Sequence, residues 1–130
     1  MILIVEDDPL SRRALEFLFA SKGYASRAVG SAEEALDVLH TADRSSSPQR
    51  LPEMLLVDID LPGMSGLQLV KNVQTTYPTV PCTLMSANHQ ELLRQEPAPA
   101  RSDWRSNRQV PFLSKPLDFG KLMTVVRQHA

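Results

Sequence analysis

Short apolar runs alternate along this chain with stretches in which apolar residues recur every three or four positions. Ile2-Leu3-Ile4-Val5, residues 25–29, Met54-Leu55-Leu56-Val57, residues 80–85 and residues 110–114 have the length of buried strands. Between the first two, Leu10, Ala14, Leu15, Leu18 and Phe19 keep helical spacing. Pro9 suits the first turn of that helix, and Gly23 suits its C-cap. Ser31-Ala32-Glu33-Glu34 has the form of a capping box opening a second helix through Ala35, Leu36 and Leu39. A third helix is predicted over residues 65–77, with Leu67, Leu69, Val70 and Val73 as its apolar positions. Asp118 is placed to cap a last helix through Leu122, Val125 and Val126.

Two stretches break the alternation. Residues 43–52 are loop by composition. Residues 88–109 carry Pro97, Pro99, four arginines and Trp104, with little apolar periodicity after Leu93, and read as a short or frayed helix followed by a long loop. Strands that alternate with helices call for a parallel sheet covered on both faces. The expectation is therefore α/β: a doubly wound five-stranded parallel sheet in the order 2-1-3-4-5, with helices on both faces. At 130 residues, one domain spanning 1–130 is expected.

Composition narrows the classes. A formal charge of −1 gives no reason to expect nucleic-acid binding, which wants a basic face. Cys82 is the one cysteine, which excludes an intramolecular disulfide and a cysteine-based zinc site and suits a reducing compartment. No apolar run approaches the ~20 residues needed to cross a bilayer. The first strand starts almost at the N-terminus, leaving no room for a signal peptide. The expected location is the cytoplasm, away from membrane and nucleic acid.

The polar residues that end the strands carry the chemistry. Glu6 and Asp7 follow the first strand, Asp58 ends the third, Ser86 follows the fourth and Lys115 the fifth. In an open doubly wound sheet, ligands bind beyond the carboxyl ends, where strand order reverses. With the order 2-1-3-4-5 that point lies between strands one and three, so Glu6 and Asp7 face Asp58. Three carboxylates so placed repel one another unless a cation neutralises them. An all-oxygen site with room for waters suits magnesium. Asp8 reads differently, as the cap of the first helix. Strands four and five bring Ser86 and Lys115 towards Asp58 from the other side. A metal, an ammonium and a hydroxyl together can neutralise the oxygens of a phosphoryl group in transfer. Asp58, central and already ionised, is then the nucleophile that forms an acyl phosphate.

These residues resemble the receiver domains of bacterial two-component response regulators over nearly the whole chain. The resemblance rests on Ile2-Leu3-Ile4-Val5-Glu6-Asp7-Asp8, Val57-Asp58-Ile59-Asp60-Leu61-Pro62-Gly63-Met64-Ser65-Gly66, Met85-Ser86-Ala87 and Lys115-Pro116 taken together. It implies a flavodoxin-like fold and a phosphoacceptor role for Asp58. It implies a magnesium site of Glu6, Asp7, Asp58 and the backbone carbonyl of Asp60. Ser86 would be the switch hydroxyl, and Lys115 the phosphate-pairing lysine before a cis proline bond. Phe112 stands at the position of the family's switch aromatic and lacks the hydroxyl of the tyrosine often found there, so its buried state should be easier to reach. The implied partner is a sensor histidine kinase or a histidine phosphotransfer protein. An effector domain or partner protein would read the face of strands four and five, and a homodimer is compatible with it. Such a domain is not an enzyme in the ordinary sense; it catalyses only its own phosphorylation and dephosphorylation.

Two departures from the family pattern stand out. The loop at 43–52 is longer than usual, and the 88–109 segment is longer and lacks the Gly-Ala usual before strand five. Two other readings share part of this pattern. A haloacid-dehalogenase-type phosphatase shares an Asp-x-Asp motif like Asp58-Ile59-Asp60, but that motif normally follows the first strand, with no acidic pair upstream and with a cap insertion this chain lacks. A pseudo-receiver that never takes phosphate is disfavoured because all five site residues are present.

Overall fold

The computed structural model describes residues 1–44, 51–87 and 110–129. Among these, the elements run β1 (Ile2–Val5), α1 (Pro9–Ser21), β2 (Ser26–Val29), α2 (Ala32–Asp43), β3 (Met54–Asp58), α3 (Gly66–Thr76), β4 (Cys82–Ser86), β5 (Phe112–Ser114) and α4 (Phe119–His129). The strands form one parallel sheet in the order β2-β1-β3-β4-β5, as the alternation predicts. The segment expected to hold a further helix, 88–109, lies outside the described residues, as does most of the loop expected at 43–52.

The continuous apolar runs divide by parity. Leu3, Val5, Leu55, Val57, Cys82 and Leu84 point to one face, where α2 and α3 cover them with Ala35, Leu39, Leu69 and Val73. Ile2, Ile4, Met54, Leu56 and Met85 point to the other, against Leu15 and Phe19 of α1 and Leu122 and Val126 of α4. A strand buried on both faces has no polar side to show, which is why these runs lack alternation.

The helix ends are fixed locally. Asp8 caps α1 through Ser11 N–H, and α1 closes on Gly23, whose φ of 86° only glycine adopts freely. There the Tyr24 N–H reaches the Phe19 carbonyl and the Gly23 N–H the Ala20 carbonyl, a Schellman closure. The expected capping box of α2 is half formed. Ser31 accepts from Glu34 N–H, but the Glu34 carboxylate reaches one residue further back, to Gly30 N–H at 3.2 Å. The complete box is in α3, between Ser65 and Gln68. Asp118 caps α4 through Lys121 N–H at 3.1 Å, as expected.

Boundaries differ from the sequence expectation where proline intervenes. β4 starts at Cys82 rather than residue 80, and β5 at Phe112 rather than 110. Pro81 and Pro111 precede them; each carbonyl accepts a bond from the neighbouring strand, but neither nitrogen can donate one. Asp43, expected in loop, is the last residue of α2.

Candidate functional site

Every strand flanking the point where strand order reverses ends in a polar group. Val5 pairs with Val57 in the register of β1 and β3, so Glu6 and Asp7 leave β1 beside Asp58, the last residue of β3. Asp58 pairs with Met85 of β4, and Ser86 with Ser114 of β5. Lys115 follows, its N–H bonded to the Ser86 carbonyl at 2.8 Å.

Glu6 and Asp58 are buried carboxylates, 2% and 4% exposed. Removing such groups from water is costly unless each oxygen finds a partner. Both are matched in the same way. Lys115 Nζ lies 2.7 Å from Asp58 Oδ2 and 2.8 Å from Glu6 Oε2. The remaining oxygens take backbone donors, Asp58 Oδ1 from Asp60 N–H at 2.9 Å and Glu6 Oε1 from Asp8 N–H at 3.2 Å. One ammonium thus bridges two acids that would otherwise repel.

Burial holds the Glu6 carboxyl above its ordinary value, with Lys115 opposing the rise and the charge on Asp58 adding to it. For Lys115, burial works against the charge, yet its hydrogen bonds to Asp58 and Glu6 outweigh it and the net shift is upward. Asp8 is exposed and held below its ordinary value chiefly by the Ser11 hydroxyl, as befits a cap rather than a ligand.

Glu6, Asp7 and Asp58 each present an oxygen within 4.8 Å of the others, with Asp7 at the exposed rim. The donor set is hard and all-oxygen, and its open side leaves room for waters. It fits a small divalent cation of the magnesium type, whose ligands stand about 2.1 Å away. The spacing asks only for a small inward movement.

The structure therefore gathers Glu6, Asp7, Asp58 and Lys115 as expected from sequence. Asp60 is exposed and touches the cluster through its N–H to Asp58. Ser86 is 1% exposed at the end of β4. Phe112 is half-buried on β5 and packs against the core of the α2 and α3 face. Pairing of Leu84 with Phe112 and Ser86 with Ser114 puts Ser86 and Phe112 on the same face of adjacent strands. The Lys115–Pro116 bond is cis, as the resemblance implies.

The supporting roles of three residues are not legible in the sequence. Arg12 Nη1 donates to the carbonyls of Glu6 at 2.9 Å and Asp7 at 3.0 Å. Its signal was its place one turn beyond the Asp8 cap, from which a long side chain points back over the preceding loop. Glu33 of α2 accepts from Met64 N–H at 3.2 Å, tying the turn after β3, where Gly63 has a φ of 75°. Gly66 lets α3 approach β3: a Cβ there would run into the Asp58 carbonyl and lie 2.8 Å from Ile59 Cα. Only its place in the Pro-Gly turn region hinted at this.

A pocket of about 210 Å³ opens beside the cluster, lined by Glu6, Ser11, Leu15, Met85, Lys115 and Phe119. Phe119, in its lining, is 55% exposed. Among the described residues, no helix is long and apolar enough to cross a membrane.

Comparison with known proteins agrees with this fold. The response regulator receiver domain matches residues 2–127. The response regulator protein FleR of Pseudomonas aeruginosa is 33% identical over 134 residues, covering 99% of this chain, which spans 24% of FleR's length. A 14.6 kDa protein of Leptolyngbya boryana is 31% identical over 130 residues, covering 98% of this chain and 88% of its own. Among solved structures, the response regulator TrrA of Thermotoga maritima, in complex with Mg2+ and BeF, superposes with a TM-score of 0.76. At 22% identity over 99% of this chain and 97% of that one, it supports the fold.

Proposed function

This chain belongs to the response regulator receiver domain family, and on that premise we propose that it accepts a phosphoryl group on Asp58 from a phosphohistidine of a sensor histidine kinase or histidine phosphotransfer protein. The observation that carries the reading is the pair of buried carboxylates bridged by Lys115, with Asp7 completing a three-oxygen cluster at the rim. A lysine that only stabilised the fold would have no need to sit between two buried acids at an open strand edge.

An Asp58 carboxylate oxygen attacks phosphorus, the P–N bond to the donor imidazole breaks, and its electron pair stays on that nitrogen. The product is an acyl phosphate. A carboxylate nucleophile needs no general base. Lys115 exchanges its carboxylate partners for a phosphoryl oxygen, and the Ser86 hydroxyl binds another. Glu6, Asp7, Asp58 and the Asp60 carbonyl would hold Mg2+, which when bound offsets the charge of the carboxylates and of the incoming group. The site turns over only its own phosphoryl group. Phe119, exposed at the pocket that Glu6 and Lys115 also line, gives the donor protein an apolar landing.

The phosphoryl group adds roughly −1.5 to −2 of charge at the head of β3. Ser86 moving towards it vacates space on its face of the sheet, into which Phe112 turns. The altered face of β4 and β5 is then what an effector domain, a partner protein or a second copy reads, in the cytoplasm.

Incubation with acetyl phosphate and Mg2+ tests the acceptor chemistry. Wild type should incorporate hydroxylamine-sensitive phosphate to about one per chain, and Asp58→Asn or a chelator should abolish it. Equal incorporation by Asp58→Asn would sink the assignment.

A further inference from the structure

We propose that Arg12 is a positioning residue that sets the acidic loop after β1 for cation binding; the inference rests on the functional reading above. One guanidinium nitrogen, Nη1, donates at once to the carbonyls of Glu6 and Asp7, at 2.9 and 3.0 Å. Those are the two consecutive residues whose carboxylates join Asp58 in the three-oxygen cluster. Fixing two successive carbonyls fixes the peptide planes from which both side chains leave.

The same nitrogen sits close to a second loop. A Cβ on Gly30, after β2, would lie 3.0 Å from Arg12 Nη1. Gly30 has no left-handed φ that requires glycine, so the missing side chain serves to leave room. Gly30 is itself held by the Glu34 carboxylate at 3.2 Å. The Glu6 N–H is bonded to the Val29 carbonyl at 3.0 Å. The loop is thus pinned through Glu6 N–H on one side and through two carbonyls on the other, and Arg12 takes up no oxygen of the three carboxylates. Outer groups that orient metal ligands commonly change affinity by about 10–100-fold when removed.

Charge and geometry predict opposite signs, which makes the proposal testable. A guanidinium near an acidic cluster repels a dication, so if its charge were what mattered, Arg12→Gln would tighten Mg2+ binding. If it positions the loop, Arg12→Gln weakens binding. If it only stabilises the fold, the unfolding midpoint moves and binding does not.

The experiment measures the Mg2+ dissociation constant of the full chain by calorimetric or NMR titration, beside the urea midpoint and the Mg2+ dependence of labelling by acetyl phosphate. Arg12→Gln should weaken Mg2+ by about tenfold and raise the half-saturating Mg2+ for labelling in step, with the rate at saturating Mg2+ near that of wild type. Gly30→Ala, which keeps the charge but crowds the guanidinium, should shift the constant the same way by a smaller factor. Unchanged or tighter binding by folded Arg12→Gln overturns the proposal; should that variant not fold, Gly30→Ala decides by the same criterion. Failure of wild type to bind Mg2+ at all would bring down the functional reading, and this inference with it.

Discussion

The two edges of the sheet are made from the same five strands and carry opposite chemistry. At the carboxyl edge, Glu6, Asp58 and Ser86 are buried polar groups, and one lysine spans two acids. At the amino edge, the polar pair Met1 N–Glu53 Oε1 stands 3.7 Å apart and exposed, a contact worth little. Cys82 and Tyr77 are buried there, and the Tyr77 hydroxyl shares a 2.6 Å hydrogen bond with His40 Nδ1. The contrast teaches where this fold tolerates cost. Buried charge is concentrated at the edge that has a use for it, and the opposite edge is left to packing.

Reactivity should differ most. Burial raises the Cys82 thiol from 9.0 to about 12, so near pH 8 its thiolate population falls by about a thousandfold relative to an ordinary cysteine. Alkylation of the native protein should therefore be negligible over hours and become fast in denaturant. Rapid labelling of the folded chain would break the contrast by giving the amino edge a reactive group.

The next largest effect is Gly66→Ala. At this first position of α3 alanine would gain less than the about 1 kcal/mol of a helix interior, and its Cβ meets the Asp58 carbonyl and Ile59 backbone, neither of which can move aside cheaply. A clash costing about 3 kcal/mol decides the sign, and the variant should lose about 2 kcal/mol by urea unfolding. Phosphorylation should fall with it, because the obstruction is at the acceptor's own backbone.

Between the edges, Thr83 Oγ1 is fully buried with no hydrogen-bond partner among the described residues. Thr83→Val keeps the shape and removes an unpaired hydroxyl, so it should stabilise by about 1 kcal/mol without altering labelling. This would separate a buried polar group with no function from those at the carboxyl edge.

The smallest effect is a slope. The Glu6 carboxyl is raised in the folded state, so the folded chain holds that proton more tightly than the unfolded one. Its contribution to stability is complete below the ordinary value of 4.5 and is lost as pH rises through the raised value. Relative to Glu6→Gln, wild type should therefore lose stability across that window and then run parallel to it up to the range in which Lys115 titrates. Parallel curves throughout would mean that Glu6 carries no burial cost.

Much of this was legible in sequence because strand ends are. Apolar runs mark where Glu6, Asp58, Ser86 and Lys115 emerge, and a doubly wound order brings those ends together. The side chains that cross between loops were not legible. That Arg12 would reach back to two carbonyls, or Glu33 to Met64 N–H, depends on helix rotation and loop height, which periodicity does not encode. The same holds for Glu34, whose carboxylate passed over the expected Ser31 N–H for Gly30. Strand lengths were overestimated at Pro81 and Pro111 because the apolar pattern continues through a residue that cannot donate to the ladder.

The central claim is that the carboxyl edge takes a phosphoryl group on one particular carboxylate. Borohydride reduces an aspartyl phosphate to homoserine, so reduction after reaction with acetyl phosphate and Mg2+ marks the acceptor for peptide mass spectrometry. Homoserine should be found at position 58 and vanish when Mg2+ is chelated. Homoserine at position 7, the reduced product of Glu6, or no reduced residue at all would contradict the account.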